Sequence, residues 1–143
     1  MKLMFPMKKT LIITLSSFVL STAAVADTCS ETALYGYMES MSSNMQTLSR
    51  SVRSNDFSAA QALMPELHDA VANAQSQTPF SLRDNGSEAR INQYRQAIND
   101  LATLFDELDE ALAANDQRMA ATVLNNIGQA RRSGHSTFKA RSC

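Results

Sequence analysis

The chain has 143 residues, and its 13 Lys and Arg side chains nearly balance its 14 Asp and Glu side chains. This balance argues against nucleic acid as a partner, because nucleic acid binding needs a basic surface. The length suits one domain with a single core and is too short for two.

The first 26 residues have the three parts of a secretory signal peptide. A head with three lysines precedes an apolar stretch over residues 10–25, which closes on the small residues Ala24-Val25-Ala26. Ser and Thr interrupt the stretch, so cleavage is favoured over a retained membrane anchor. We therefore expect a soluble protein of residues 27–143, exported to a bacterial periplasm. Its formal charge would be −4, because the three lysines leave with the signal peptide.

The first predicted helix follows a capping-box sequence, Thr28-Cys29-Ser30-Glu31. Apolar residues then recur at alternating steps of four and three, which is the spacing of a helix that packs in a bundle. These residues are Leu34, Met38, Met41, Met45, Leu48 and Val52.

A second helix is predicted after Asn55-Asp56, with a kink at Pro65. Its apolar residues are Phe57, Ala60, Met64, Leu67, Val71 and Ala74. Thr78-Pro79-Phe80 ends this helix, and the longest loop follows over residues 81–87. The third helix carries Ile91, Tyr94, Ile98, Leu101, Phe105, Leu108 and Leu112. After Asn115-Asp116, the fourth carries Val123 or Leu124, Ile127, Arg131, His135 and Phe138.

Four amphipathic helices with short first and third connections predict an all-α, antiparallel up-down-up-down four-helix bundle. The sequence has no catalytic triad order, glycine-rich phosphate loop or zinc-protease motif, so we do not expect an enzyme. The acidic side chains of the third helix are expected to form a solvated face, and His68 to be a surface residue without a partner. These acids are Asp106, Glu107, Asp109 and Glu110.

One pair of residues suggests a cofactor. His135 continues the apolar face of the fourth helix at steps of four, and Met38 lies near the start of the first helix. In an up-down bundle these two positions share one end. A thioether and an imidazole that face each other across a bundle are typical axial ligands of a six-coordinate haem iron.

The residues around this pair resemble the soluble periplasmic cytochrome b-562 family over essentially the whole predicted mature chain. Leu34-x-x-x-Met38-Glu39-Ser40-Met41 is similar to the family segment whose methionine is the sixth haem ligand. Arg131-x-x-x-His135-x-x-x-Lys139 is similar to the terminal segment whose histidine is the fifth. Ala74-Gln75-x-x-Thr78-Pro79 is similar to the segment that closes the second helix against the haem.

The resemblance implies one non-covalent haem b, with Met38 and His135 on the iron and Arg131 and Lys139 near the haem propionates. The residues implied around the macrocycle are Met41, Leu67, Pro79, Phe80, Tyr94, Ile98, Arg131 and Lys139. Ile98 departs from the family, which has an aromatic residue there, and Phe80 replaces a second proline. With both axial positions filled, the implied function is outer-sphere electron transfer by a monomer to an unidentified redox partner protein.

Two alternatives accompany this interpretation. Met45 is the second candidate for the iron ligand, because Asn44-Met45-Gln46-Thr47-Leu48 also looks like the family motif. Met38 follows Cys29 by nine residues and His135 precedes Cys143 by eight, so a Cys29–Cys143 disulfide is expected and favours Met38. The alternative function is a haem-free, disulfide-closed bundle that acts as a structural or protein-interaction module.

Overall fold

The computed structural model describes residues 28–143, and the predicted signal peptide lies outside the described residues. Within residues 28–143 the regular secondary structure is helical, and α2 and α3 together form the second helix of an antiparallel four-helix bundle. The predicted fold class is therefore confirmed. The helices are α1 (Ala33–Arg53), α2 (Phe57–Gln61), α3 (Met64–Gln75), α4 (Glu88–Ala113) and α5 (Gln117–Phe138).

The turns before α2 and α5 are built in the same way. Asn55 and Asn115 have left-handed backbones, with φ of 58° and 52°, a conformation that asparagine tolerates at helix ends. Asp56 and Asp116 then cap the next helix, because each carboxylate accepts a hydrogen bond from the amide three residues later, at 3.0 and 2.9 Å. Both Asn-Asp turns thus reverse the chain where the sequence predicted.

The second bundle helix is broken where a continuous, kinked helix was expected. α2 ends at Gln61, two residues outside any helix follow, and α3 begins at Met64. Pro65 has no amide hydrogen for the carbonyl of Gln61, and its ring would collide with that oxygen. The break places Pro65 in the first turn of α3, where the missing amide costs least.

The N-terminal capping sequence heads a short 3-10 turn, Cys29–Glu31, and α1 begins only at Ala33. The Thr28 amide donates to the Glu31 carboxylate at 3.1 Å, as the capping box requires. Thr32 is extended (ψ 144°) and its hydroxyl accepts from the Tyr35 amide at 3.2 Å. Thr32 is therefore the residue that caps α1.

The core is made by the predicted apolar faces. Its largest fully buried side chains are Phe105, Leu48, Leu67, Leu108, Leu112 and Val52. α4 packs closely on α5 and α3, and α1 packs on α3, whereas α1 and α5 make few contacts with each other. The bundle is therefore least closed between its first and last helices. No helix among residues 28–143 is long and apolar enough to cross a membrane.

The prediction that His68 lacks a partner is wrong. His68 Nε2 lies 2.5 Å from Asp109 Oδ2, and Nδ1 lies 4.0 Å from Asp106 Oδ1. The imidazole ring also packs edge-on against Phe105, with 6.0 Å between ring centroids. Since His68 lies on α3 and the aspartates lie on α4, these contacts join the two helices beside the core.

Candidate functional site

The weak contact between α1 and α5 leaves an open groove of about 1070 Å³, which reaches the loop after α3. Ligand pockets usually measure roughly 300–1000 Å³, so this groove is large enough for a cofactor-sized molecule. Its lining mixes apolar, aromatic and basic side chains. The lining includes Met38, Met41 and Met45 of α1, Tyr94 and Ile98 of α4, Arg131, His135 and Phe138 of α5, and Pro79, Phe80 and Lys139.

All sequence-predicted site residues line this groove except Leu67. Leu67 has no exposed surface and belongs to the central core. It lies on α3, whereas the groove opens between α1 and α5. Leu67 therefore supports the bundle, and its contact with a bound molecule stays a prediction.

Two candidate metal donors line opposite walls of the groove. Met38 is half-buried on α1, and His135 is partly exposed on α5. Burial first, and then the positive charges of Arg131 and Lys139, lower the pKa of His135 below its ordinary value. This favours the neutral imidazole, which is the form that binds metals. Among residues 28–143 the His135 ring makes no hydrogen bond, so its nitrogens are available.

The loop between α3 and α4 and the first turn of α4 are both fastened to the C-terminus of α5. The Ser81 hydroxyl donates to the Phe138 carbonyl at 2.5 Å, and the Arg90 guanidinium donates to the Thr137 carbonyl at 3.0 Å. Gly86 is required in this loop, because a Cβ there would collide with the Leu82 carbonyl. These contacts hold the Pro79–Phe80 segment at the end of the groove.

Tyr94 connects three helices at the groove. Its buried hydroxyl donates to the Ala74 carbonyl at 2.6 Å, and its ring packs edge-on against Phe138 at 5.6 Å between centroids. Burial raises the pKa of Tyr94 above its ordinary value. Phe138 was not predicted as a site residue, although its position three residues after His135 puts both on one helix face.

We expect Tyr94→Phe to lower the free energy of unfolding by about 1 kcal/mol at pH 7. The loss is modest because the Ala74 carbonyl keeps a bond from the Gln77 amide at 3.1 Å. In the unfolded chain tyrosine deprotonates near pH 10, below the raised pKa of Tyr94 in the fold. The contribution of Tyr94 to the free energy of unfolding is therefore fully present below about pH 10 and declines as the pH rises above that value. Urea unfolding of both proteins at pH 7 and at about pH 10.5 tests this, and equal stability at pH 7 would contradict it.

A second group of possible metal ligands lies away from the groove. The ligand atoms of His68, Asp106 and Asp109 lie within 4.8 Å of one another. The Asp106 side chain is 75% exposed, and the short hydrogen bond between His68 and Asp109 already accounts for the arrangement. The groove is thus the better candidate.

The antiparallel bundle opens between its first and last helices, and a thioether and an imidazole line the two walls of the opening. This arrangement is typical of helical bundles that bind a metal-containing cofactor. The chain matches the family model described as Cytochrome b562 over residues 33–139, which includes α1 to α5 and the candidate donors Met38 and His135. It belongs to the cytochrome b562 family and is accordingly a haem-binding electron-transfer cytochrome. A comparison with curated proteins finds no match.

Proposed function

We propose that this protein carries electrons in a bacterial periplasm with one non-covalent haem b held in the α1–α5 groove, with Met38 and His135 on the iron. The observation that carries the proposal is that these two donors, 97 residues apart in sequence, line one groove in a member of a haem-binding family. The signal-peptide pattern of residues 1–26 supports export.

The helix boundaries support Met38 over Met45 as the ligand. Met38 lies five residues after the start of α1, and His135 lies three residues before the end of α5, which correspond to about 8 and 5 Å of helix. The Cys29–Cys143 disulfide, with 5.5 Å between Cα atoms, brings these two helix ends together. Met45 lies twelve residues into α1, about 18 Å from its start, and is too far along the bundle to oppose His135.

The remaining groove residues supply contacts suited to a flat macrocycle. Tyr94, Ile98, Pro79 and Phe80 offer aromatic and apolar surface, which excludes water from the ring. Arg131 and Lys139 lie one turn either side of His135 and would counter carboxylate groups at the edge of the groove.

The proposed ligand pair limits the chemistry. Haem held by Met38 and His135 would supply a one-electron couple and would leave no open position for substrate. Compared with a second imidazole ligand, the Met38 thioether would favour the ferrous state of the iron. The chain's own role is then to hold the two donors, exclude water and leave one edge of the groove open for outer-sphere transfer.

The proposal is tested by adding haem to the purified protein of residues 27–143. We expect saturable binding, a low-spin b-type absorption spectrum and release of the haem by acid acetone, because Cys29 and Cys143 are joined to each other in the disulfide. Absence of a Soret band and of saturable binding would contradict the proposal. The haem-free, disulfide-closed module would then be the remaining function.

A further inference from the structure

Charge is strongly segregated along this chain. Residues 100–116 contain six acidic side chains and no basic one, whereas residues 117–143 contain five basic side chains and no acidic one. Because α4 and α5 are antiparallel, the acidic half of α4 and the C-terminal half of α5 lie at opposite ends of the bundle. The segregation in sequence thus becomes a separation in space.

We call the end that carries the start of α1, the loop before α4 and the end of α5 the basic end; it comprises residues 28–40, 76–96 and 131–143. Its acidic side chains are Glu31, Glu39, Asp84 and Glu88, and its basic ones are Arg83, Arg90, Arg95, Arg131, Arg132, Lys139 and Arg141. The other described residues, 41–75 and 97–130, hold nine acidic and three basic side chains. Formal charge therefore changes from +3 at the basic end to −6 over the rest.

Five cations of the basic end are exposed and form no ion pair within the described residues. Arg90, Arg131, Arg132, Lys139 and Arg141 are all exposed, and within residues 28–143 none of these five lies within ion-pair distance of a carboxylate. A partner's carboxylates would therefore meet cations that no internal pair already neutralises.

The site and the charge gradient coincide. Arg131 and Lys139 line the mouth of the groove, and the Arg90 guanidinium lies 5.8 Å from the ring centroid of Phe138, another lining residue. The two propionates of the proposed haem would balance the charges of Arg131 and Lys139. The formal charge of the basic end would still be positive relative to the rest of the molecule. Such a dipole orients a charged partner during encounter and raises its association rate.

We infer that the basic end is the docking surface for an acidic redox partner protein. The inference rests on the proposed function, and it adds the chemistry of the partner and the face that the partner meets. The acidic remainder of the molecule would repel the same partner, so encounters at other faces would be disfavoured.

Two substitutions on α5 give a matched test. Arg132→Glu and Arg118→Glu each change the net charge by −2 at an exposed position of the same helix, about 21 Å apart along it. Arg132 lies at the basic end, and Arg118 lies in the first turn of α5, at the opposite end of the bundle. Arg141→Glu is a second variant at the basic end, in case Arg132→Glu impairs folding. The His135 and Met38 side chains are unchanged in all of them.

The first measurement is the stopped-flow oxidation of haem-loaded protein by hexacyanoferrate(III), an anion, and by tris(phenanthroline)cobalt(III), a cation. At low ionic strength we expect Arg132→Glu and Arg141→Glu to slow the anionic oxidant roughly 3- to 10-fold and to accelerate the cationic one. Arg118→Glu should change either rate less than about twofold, and all differences should vanish near 0.5 M salt. An equal effect of Arg118→Glu, or rates independent of salt, would overturn the inference.

The second measurement does not depend on electron transfer. A polyglutamate peptide is titrated into isotope-labelled protein and followed by NMR. We expect salt-reversible shifts in residues 88–95 and 131–141, reduced by Arg132→Glu and retained in Arg118→Glu. Shifts spread over all helices, or no shifts, would overturn the inference. Failure to load haem would contradict the proposed function alone, because this titration reports on the basic end either way.

Discussion

His135→Ala is expected to weaken haem binding by on the order of 100-fold or more, about 2.7 kcal/mol, whereas Met38→Ala should retain haem with an altered spectrum. Removal of the imidazole takes away the stronger ligand from α5. Loss of the thioether leaves a five-coordinate or water-ligated iron, and the low-spin bands should disappear. Haem titrations followed by absorption and electron paramagnetic resonance distinguish the two outcomes.

Met45→Ala is the control for these variants, because Met45 also lines the groove on α1. It should disturb packing and leave the low-spin spectrum intact. If Met45→Ala alone abolishes that spectrum, Met45 is the ligand, and the argument from helix boundaries fails.

The second large effect is expected from the disulfide. The predicted Cys29–Cys143 bridge is present, with 5.5 Å between Cα atoms and 114 residues of sequence separation. Replacing both cysteines by Ser should lower the free energy of unfolding by at most about 4–5 kcal/mol, since the long closed loop restricts the unfolded chain. Haem should also dissociate faster, because the bridge joins the helices that carry both proposed ligands.

Urea unfolding of the double variant and transfer of its haem to an acceptor globin measure these two effects. The single variant Cys29→Ser is a useful comparison, because it loses the same bridge and should be equally destabilised. Thiol titration of denatured, unreduced wild-type protein should find no free thiol. Two reactive thiols per chain would show that the bridge does not form in solution.

Local sequence signals predicted most of this fold. The Asn-Asp turns and the apolar spacing of α4 and α5 depend on neighbouring residues only, and the structure follows them. Pro65 was also a correct local signal, but its effect was underestimated, because the collision with the Gln61 carbonyl breaks the helix instead of bending it.

Features that depend on packing between helices were missed. His68 and Asp109 are 41 residues apart, and no periodicity indicates that they meet. Leu67 and Tyr94 both lie on predicted apolar faces, yet Leu67 faces the core and Tyr94 lines the groove. The sequence pattern places both residues on the inner face of a helix, but the wide separation of α1 and α5 decides which of them lines the groove.

The Cys29–Cys143 disulfide also shortens the path along the chain between the two walls of the groove during folding. Met38 and His135 are separated by 97 residues along the backbone, but by only nine and eight residues on either side of the disulfide. Closing the shorter path costs about 1.5 kcal/mol less chain entropy. In the oxidised chain, the pairing of α1 with α5, which are far apart in sequence, therefore becomes nearly local. Refolding of the oxidised protein should therefore assemble the α1–α5 seam early, and the reduced chain should assemble it last.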